Sequence, residues 1–565
     1  MWQFWRLTQP LRDISHKGRL PALWILLILV AIASSSVLVL ESIQRGEFIS
    51  ALAAQDGLRF RQSLLTFSGI LVLSGLLLSF SAYIRDTLGL QWRRALTRSY
   101  LERYLDQRHY YQLTNQTQID NPDQRLAEDI RNLCQTAMAV VVIVLESVVQ
   151  LIGFTGTLWL VSRSLTGILW GYALLATGVT IGIFGKRLTR INAEQLKREA
   201  NFRFGLIQVR EQAEAIAFYR GQRQERKQLD QQFVSLVQNF RRFIRWQFGL
   251  DFFQNGYQYL TFIVPSIVLA PRILAGELEI GTIVQSQAAF DRIWLALSLV
   301  VIQFEQITAL AASVERLNRL AQTLDKLQVA PSQPQIERRR SNQLALQNLT
   351  LLTPDHQRVL VRQLSLTVPQ VSSLLIMGSS GVGKSSLLRA IAGLWYTGHG
   401  VISTPPMTDL LFLPQQPYMM LGSLRQQLLY PAQGSGIEDS GVTDQQLITI
   451  LQQVQLEKLA TQSLDSVVDW SQQLSLGEQQ RLAFARLMLQ RPTYAILDEA
   501  TSALSVQQEQ QLYEQLVQTR IALISVGHRP SLRLYHQQLL TINPNQTWTL
   551  DSAQEFTQDP TLSQL

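Results

Sequence analysis

Apolar positions in the first half of the chain come in long unbroken runs. Ala22 to Leu40 passes 19 residues without a charge, Gln62 to Ile84 passes 23, Ser164 to Gly185 passes 22 and Phe252 to Pro271 passes 20. A helix crossing the apolar core of a bilayer needs about 20 such residues, so each run predicts a transmembrane helix. Two further runs are interrupted, Ala137 to Ser162 by Glu146 and Ile280 to Phe304 by the adjacent Asp291 and Arg292. Together they predict six membrane helices. Ionisable groups inside a span mark function by default, so Glu146, Asp291 and Arg292 are candidates to line a solute path; alternatively, Asp291 and Arg292 pair locally or face a water-filled cavity without touching substrate. Trp2 to Leu20 mixes Trp2, Phe4, Trp5 and Leu7 with Arg6, Arg12 and Lys17, the composition of a helix lying in the membrane interface. The run after Lys17 and Arg19 is too long for the apolar core of a signal peptide, and no clear cleavage site follows.

The pattern changes after Lys326. Residues 326–343 hold Pro331, Pro334 and the basic run Arg338–Arg340 and read as a linker between a membrane domain over 1–325 and a second domain over 344–565. There the apolar runs shorten to strand length. The apolar strand Ser373–Met377 leads into GSSGVGKSS, made of Gly378, Ser379, Ser380, Gly381, Val382, Gly383, Lys384, Ser385 and Ser386, and a helical pattern follows to Leu394. This is a phosphate-binding loop in its strand–loop–helix setting: glycines let backbone N–H groups converge on phosphate at a helix N-terminus. Lys384 reaches the β- and γ-phosphates, and the Ser385 hydroxyl suits Mg²⁺. A second strand, in YAILDEA, ends on Asp498 and Glu499. Such a pair can simply cap a helix. Downstream of a phosphate loop it suits ATP hydrolysis, with Asp498 serving Mg²⁺ and Glu499 polarising the attacking water.

Composition sharpens the division. The chain of 565 residues is 47% hydrophobic and only 16% charged, with a net charge of +8. Residues 331–565 carry 15 basic and 17 acidic side chains, leaving 35 basic and 25 acidic in residues 1–330. The basic excess therefore sits in the apolar half, where it flanks membrane segments instead of marking a nucleic-acid surface. Eight Arg lie between Arg85 and Arg131, and fourteen Lys and Arg between Lys186 and Arg245. The loop Glu41 to Arg61 is balanced at three of each sign. The positive-inside asymmetry puts the two long basic loops and both termini in the cytoplasm. Helical patterning in those loops predicts membrane helices that run far beyond the bilayer. A single Cys excludes an internal disulfide framework and a Cys-based zinc cluster.

Between and after these motifs, further strings carry a resemblance. LSLGEQQR, Leu474 to Arg481, looks like the signature sequence of ABC transporters, with Ser475, Gly477 and Glu478 in the nucleotide-contacting stretch. Gln415 in LFLPQQPY resembles the Q-loop glutamine, ATSALS at 500–505 the D-loop, and His528 in SVGHRPSL the switch histidine. The stretch LFLPQQPYMMLGSLRQQLLYP and the loop motifs IDNPDQRLAEDI and EANFRFGLIQVREQAEAIAFYRGQRQE are similar to those of D-subfamily fatty-acyl half-transporters and their bacterial relatives. Read alone, the last string is a solvated Arg/Glu-laced helix. Three positions depart from the family: Leu476 where a glycine is usual, Ser505 where aspartate is commoner, and Thr353 where an adenine-stacking aromatic is expected.

The resemblance implies a six-helix membrane domain of the ABC exporter type followed by an α/β P-loop ATPase domain. It implies ATP and Mg²⁺, with Gln415 and Asp498 near the metal and Glu499, His528 and Gln415 in catalysis. In the family each ATP lies between the phosphate loop of one ATPase domain and the signature of another. One of each per chain therefore implies a dimer, a homodimer or a hetero-pair with a similar half-transporter. The expected activity is ATP-driven movement of a bulky or amphipathic solute across a bacterial inner membrane; a membrane ATPase that gates or senses without net transport is the alternative. The SQL terminus matches a peroxisomal tripeptide only loosely, and the sequons at Asn115 and Asn348 fall in regions expected to be cytoplasmic.

Overall fold

The computed structural model describes residues 19–114, 121–328, 336–431 and 441–553. The expected interfacial helix over Trp2–Leu20 falls almost wholly outside them, as do Asn115 and the C-terminal tripeptide. The chain divides into two compact units, Met1–Ala330 and Pro331–Leu565.

The first unit is helical: α1 (Arg19–Ala53), α2 (Gly57–Leu105), α3 (Ile130–Val161), α4 (Arg163–Val179), α5 (Lys186–Glu211), α6 (Gln222–Leu274), α7 (Gly281–Ile302) and α8 (Phe304–Gln328). The 49 residues of α2 and the 53 of α6 far exceed a single span. At about 1.5 Å per residue they run roughly 75–80 Å, well past an apolar core of about 30 Å. Long extensions are thus present, as the patterning predicts. Short π-helical segments, Arg125–Asp129 before α3 and Thr180–Gly185 after α4, join the elements. Leu88, Trp92, Leu96, Ile130, Leu133 and Leu320 bury one side of the bundle, and Phe154, Leu169, Leu269 and Phe290 another. Leu65, Val72, Leu76, Ile152, Leu160 and Ile267 point outward and are exposed. So broad an apolar exterior suits lipid and not water.

Five helical stretches among the described residues are long and apolar enough to cross a membrane, Pro21–Ala53, Gly57–Thr114, Pro122–Val161, Arg163–Glu211 and Gln222–Leu274. The expected sixth span falls on α7, a helix of 22 residues that is not one of these five. Asp291 and Arg292 interrupt its apolar run, and Ala289, Phe290 and Ile293 are buried against neighbouring helices. Asp291 accepts from Gln258 Nε2 on α6 at 3.4 Å. The expected loop Glu41–Arg61 is mostly helix, because α1 continues to Ala53 and α2 begins at Gly57. Asp56 caps α2 by accepting from the Leu58 and Arg59 amides at 3.1 Å. Arg59 then clamps Glu47 and Glu279 at 2.6–3.1 Å, tying α1 and α2 to the turn before α7.

The second unit holds a four-stranded sheet in the order β1-β5-β2-β3 and a six-stranded sheet in the order β12-β11-β4-β10-β9-β6. Their strands are β1 (Glu337–Arg340), β2 (Leu344–Leu352), β3 (Val359–Val368), β4 (Ser373–Met377), β5 (Gly398–Thr404), β6 (Leu410–Leu413), β9 (Tyr494–Asp498), β10 (Ala522–Val526), β11 (Gln538–Ile542) and β12 (Trp548–Ser552), while β7 (Gly422–Ser423) and β8 (Val467–Val468) form a separate small pair. Part of the expected linker is therefore ordered structure. Lys326 lies in the last turn of α8, and Glu337–Arg340 pairs in parallel with β5. Arg338 donates to the Ala390 and Ile391 oxygens at the C-terminal end of the helix Lys384–Ile391, where positive charge is favoured.

Parallel pairing fixes which strand ends meet. Ile376 of β4 lies opposite Val526 of β10, Val526 opposite Asp498 of β9, and Leu497 opposite Leu413 of β6. Four strands therefore end along one edge, and the loops that leave them gather there. In open α/β sheets this carboxyl edge is where ligands bind. Leu388, Ile376, Ile524 and Val361 pack one face of the sheet, and Trp470, Phe484, Leu512 and Tyr513 the other.

Candidate nucleotide site

The loop after β4 turns on glycines that nothing else replaces. Gly378 has φ +151°, and a Cβ there would lie 2.4 Å from the Ile542 oxygen; Gly383 has φ +107° and faces Leu360 Cβ at 3.0 Å. Val382 is buried in the apolar core and pins the loop from below. Lys384 opens the helix and folds back over its own loop, donating through Nζ to the Gly378 and Ser379 oxygens at 2.8 and 3.0 Å. Burial pulls its ammonium below the ordinary lysine range, while Glu499 and Asp498 act in the opposite direction. A cation held this way, with its carbonyl partners replaceable, is ready to exchange them for phosphate oxygens.

Ser385 Oγ donates to Asp498 Oδ1 at 3.3 Å. Burial, the largest cause, raises the Asp498 carboxyl above its usual range; the Ser385 hydrogen bond opposes it, and Glu499 nearby adds to it. A desolvated carboxylate beside a hydroxyl is a hard-oxygen pair in need of a cation. Among the described residues no cluster of three or more His, Cys, Asp or Glu could hold a metal alone. That fits Mg²⁺, which binds through one or two protein oxygens and takes its remaining ligands from water and substrate phosphates.

Glu499 takes a left-handed backbone with φ +48°, anchored by its N–H to the Val526 oxygen at 3.1 Å. Such strain in a non-glycine residue persists only where the surroundings enforce it. Its carboxylate is held from two sides: Gln415 Nε2 donates to Oε2 at 3.2 Å, and His528 Nε2 lies 3.0 Å from Oε1. The structure thus brings together Lys384, Ser385, Asp498, Glu499, Gln415 and His528. The Gln415 amide nitrogen faces Glu499.

The signature segment is built differently. Ser475 caps the helix Leu476–Gln490: its Oγ accepts from the Glu478 N–H at 3.4 Å, and Glu478 Oε2 accepts from the Ser475 N–H and hydroxyl at 2.9 and 2.8 Å. Those contacts, both to Oε2, hold the Glu478 carboxyl below its ordinary range. Gly477 is needed for close approach, since a Cβ would lie 3.1 Å from the Ala503 oxygen. Leu476 projects outward, 40% exposed. Ser505, the other departure, caps the helix Val506–Gln518 with Gln508, so the helix start survives without the usual aspartate charge. Thr353 closes a turn with Asp355 and Arg358.

Two residues that sequence reasoning passed over lie at the centre of this edge. Gln480 is buried; its amide donates to the Gln415 oxygen at 2.9 Å and Ser502 Oγ at 3.1 Å, and accepts from the Ala503 N–H at 3.1 Å. Glu509 is a buried carboxylate bonded to Thr501 and Ser531. Gln480 stands inside the signature string, but nothing in its spacing announces partners 65 residues earlier and 22 later.

Comparison with known proteins identifies the family. The family described as ABC transporter transmembrane region 2 matches residues 14–274, and the family described as ABC transporter matches 361–502. An uncharacterized ABC transporter ATP-binding protein of Synechocystis sp. is 43% identical over 95% of this chain and 83% of its own length. ABC transporter D family member 2, chloroplastic, of Arabidopsis thaliana is 38% identical over 82% of this chain and 74% of its own. The lysosomal cobalamin transporter of Homo sapiens is 32% identical over 86% of each. With a membrane region and an ATPase unit in one polypeptide, this chain belongs to the ABC transporter family, as a homologue of its D subfamily and their bacterial relatives.

Proposed function

We propose that this half-transporter works as a dimer of two copies and uses ATP hydrolysis to move a bulky or amphipathic solute across a bacterial inner membrane. One observation carries the dimer. Lys384, Asp498, Glu499, Gln415 and His528 converge on one edge, whereas the Ser475 hydroxyl is bonded to its own Glu478. A second chain supplies the missing signature. Lys384 binds the phosphates. Ser385 and Asp498, with Gln415 at the rim, hold Mg²⁺, which neutralises charge on the β- and γ-phosphates when bound. Glu499 orients and polarises the attacking water, and His528 and Gln415 hold its carboxylate in place. Ser475 and Gly477 of the opposing chain close the site.

In the membrane, α7 serves as the sixth crossing. Its 22 residues span about 33 Å, enough for the apolar core. An even number of crossings keeps both termini on the cytoplasmic side. The lysosomal relative is a cobalamin transporter, which supports a large polar or amphipathic cargo here.

Reconstituted proteoliposomes loaded with a library of amphipathic solutes test the reading. Cargo flux should require hydrolysable ATP and disappear with Lys384→Ala. Flux that persists while hydrolysis is blocked would replace pumping by ATP-gated permeation.

A further inference from the structure

The loop carrying Glu499 and the loop carrying His528 leave neighbouring strands, and the backbone alone does not set the distance between their side chains. A carboxylate two turns away does. Glu509, on the helix Val506–Gln518, is 1% exposed. Its Oε2 accepts the Thr501 hydroxyl at 2.6 Å, two residues beyond Glu499, and its Oε1 accepts the Ser531 hydroxyl at 3.1 Å, three residues beyond His528. Arg529 Nη1 lies 3.4 Å from Oε2, and Arg529 Nη2 donates to the Leu504 and Ser502 oxygens at 2.9 and 3.4 Å. One buried anion therefore holds both loops, and the arginine next to His528 grips the far end of the loop after Glu499. A buried carboxylate is costly unless its acceptor sites are filled; here the two hydroxyls that fill them come from different loops.

We propose that Glu509 is a positioning residue for ATP hydrolysis, clipping the Glu499 loop to the His528 loop and so setting the 3.0 Å contact between them. Glu509 bonds to Thr501, Ser531 and Arg529 and acts only through the pair it aligns. The inference rests on the roles given above to Glu499 and His528.

In Glu509→Gln the amide keeps one acceptor but turns an NH₂ group toward Arg529 or a hydroxyl donor. The two loops then lose their common anchor. Misplacement of a reacting group by about 1 Å lowers turnover by roughly 10- to 100-fold. Steady-state ATPase of the full-length protein in nanodiscs should show kcat lowered by about 10-fold or more with KM for ATP within about two-fold, since the phosphate loop is untouched. The discriminating measurement is a double-mutant cycle with His528→Ala. If Glu509 acts by aligning the pair, Glu509→Gln should add little once His528 is gone. Multiplicative losses would make Glu509 a generic structural residue and overturn the proposal. Thr501→Val and Ser531→Ala, each removing one donor, carry the same cycle if Glu509→Gln does not fold; wild-type turnover in both also overturns it. Should Glu499→Gln or His528→Ala turn over normally, the roles of those two residues fail. Should only the Glu509, Thr501 and Ser531 variants do so, the positioning proposal alone fails.

Discussion

The buried amide of Gln480 donates to the backbone oxygen of Gln415 at 2.9 Å while its carbonyl accepts from the Ala503 N–H at 3.1 Å. The second turn of the signature helix is thereby bonded to the loops that carry Gln415 and Ala503.

Gln480→Leu keeps the volume and removes three hydrogen bonds, and the Gln415 oxygen and Ala503 N–H, on exposed residues, turn to water instead. The expected loss is about 1–3 kcal/mol of stability, the net worth of the hydrogen bonds removed. Gln480→Glu keeps the acceptor for Ala503 but sets a buried carboxylate oxygen against the Gln415 oxygen, so it should cost at least as much. Calorimetric melting of the purified protein, paired with ATPase rates, checks the order.

Glu499→Gln preserves size and one acceptor but removes the charge that polarises water. Turnover should fall by about 100-fold or more, within the range for a positioned general base. Retained ATP should rise, because Lys384, Ser385 and Asp498 are intact. Asp498→Asn should instead raise the Mg²⁺ concentration needed for half-maximal activity. Turnover and trapped nucleotide measured in both variants, across a Mg²⁺ titration, separate the two roles.

Much of this was legible in the residues. Four uncharged runs gave spans, the strings around Lys384 and Asp498 pointed to phosphate chemistry, and His528 and Gln415 came from the family resemblance. What spacing did not carry is sheet register. Gln415 and Glu499 are 84 residues apart and meet only because β6 and β9 end side by side. The same holds for Gln480 and Glu509, whose partners sit on other strands' loops. Arg338 was read as linker together with Pro331 and Pro334; the carbonyl end of a helix is an equally good home for it. The loop expected at 41–61 shrank to a turn because polar residues continue a helix as readily as they end one.

Acid should weaken the ATPase unit through His536. Its Nδ1 lies 2.7 Å from the Leu532 oxygen and its Nε2 2.9 Å from Ser525 Oγ. Burial lowers its pKa to about 4, with the Leu532 contact opposing. The unfolded chain, near pH 6.5, binds a proton that the folded one refuses. Stability is therefore fully present above pH 6.5 and falls as the pH drops toward 4, by about 2 kcal/mol at pH 5. For a domain of this size that lowers Tm by roughly 4–8 °C. His536→Gln should melt lower at pH 7.5 yet lose less between pH 7 and 5; an unchanged pH slope would assign the acid lability elsewhere.

Orientation follows from where the basic residues lie. Gln55 sits in the exposed turn between α1 and α2, and Gln222 opens α6 within the strongly basic region. With Cys134 replaced, a cysteine at Gln55 should react with an impermeant thiol reagent on intact cells, and one at Gln222 only after lysis. The reverse pattern would invert the topology.

Catalysis shared between two chains makes the sharpest prediction. Lys384→Ala removes the phosphate contact of its own chain but leaves that chain's Ser475 to serve the opposite site. Ser475→Arg does the converse, putting a bulky side chain where the opposing phosphates close and costing about 1 kcal/mol of helix capping. Each homodimer then has two defective sites and should be nearly inactive. In a mixed dimer one site combines an intact Lys384 with an intact Ser475, and the other is doubly defective. Co-expression with two affinity tags and tandem purification isolates the mixed species. If the sites of the two-fold dimer fire independently, its ATPase should recover to about half of wild type. Full activity in either parent would show that each chain completes its own site. A mixed dimer as inactive as its parents would mean that hydrolysis at one site requires the other, so that the dimer fires only as a pair.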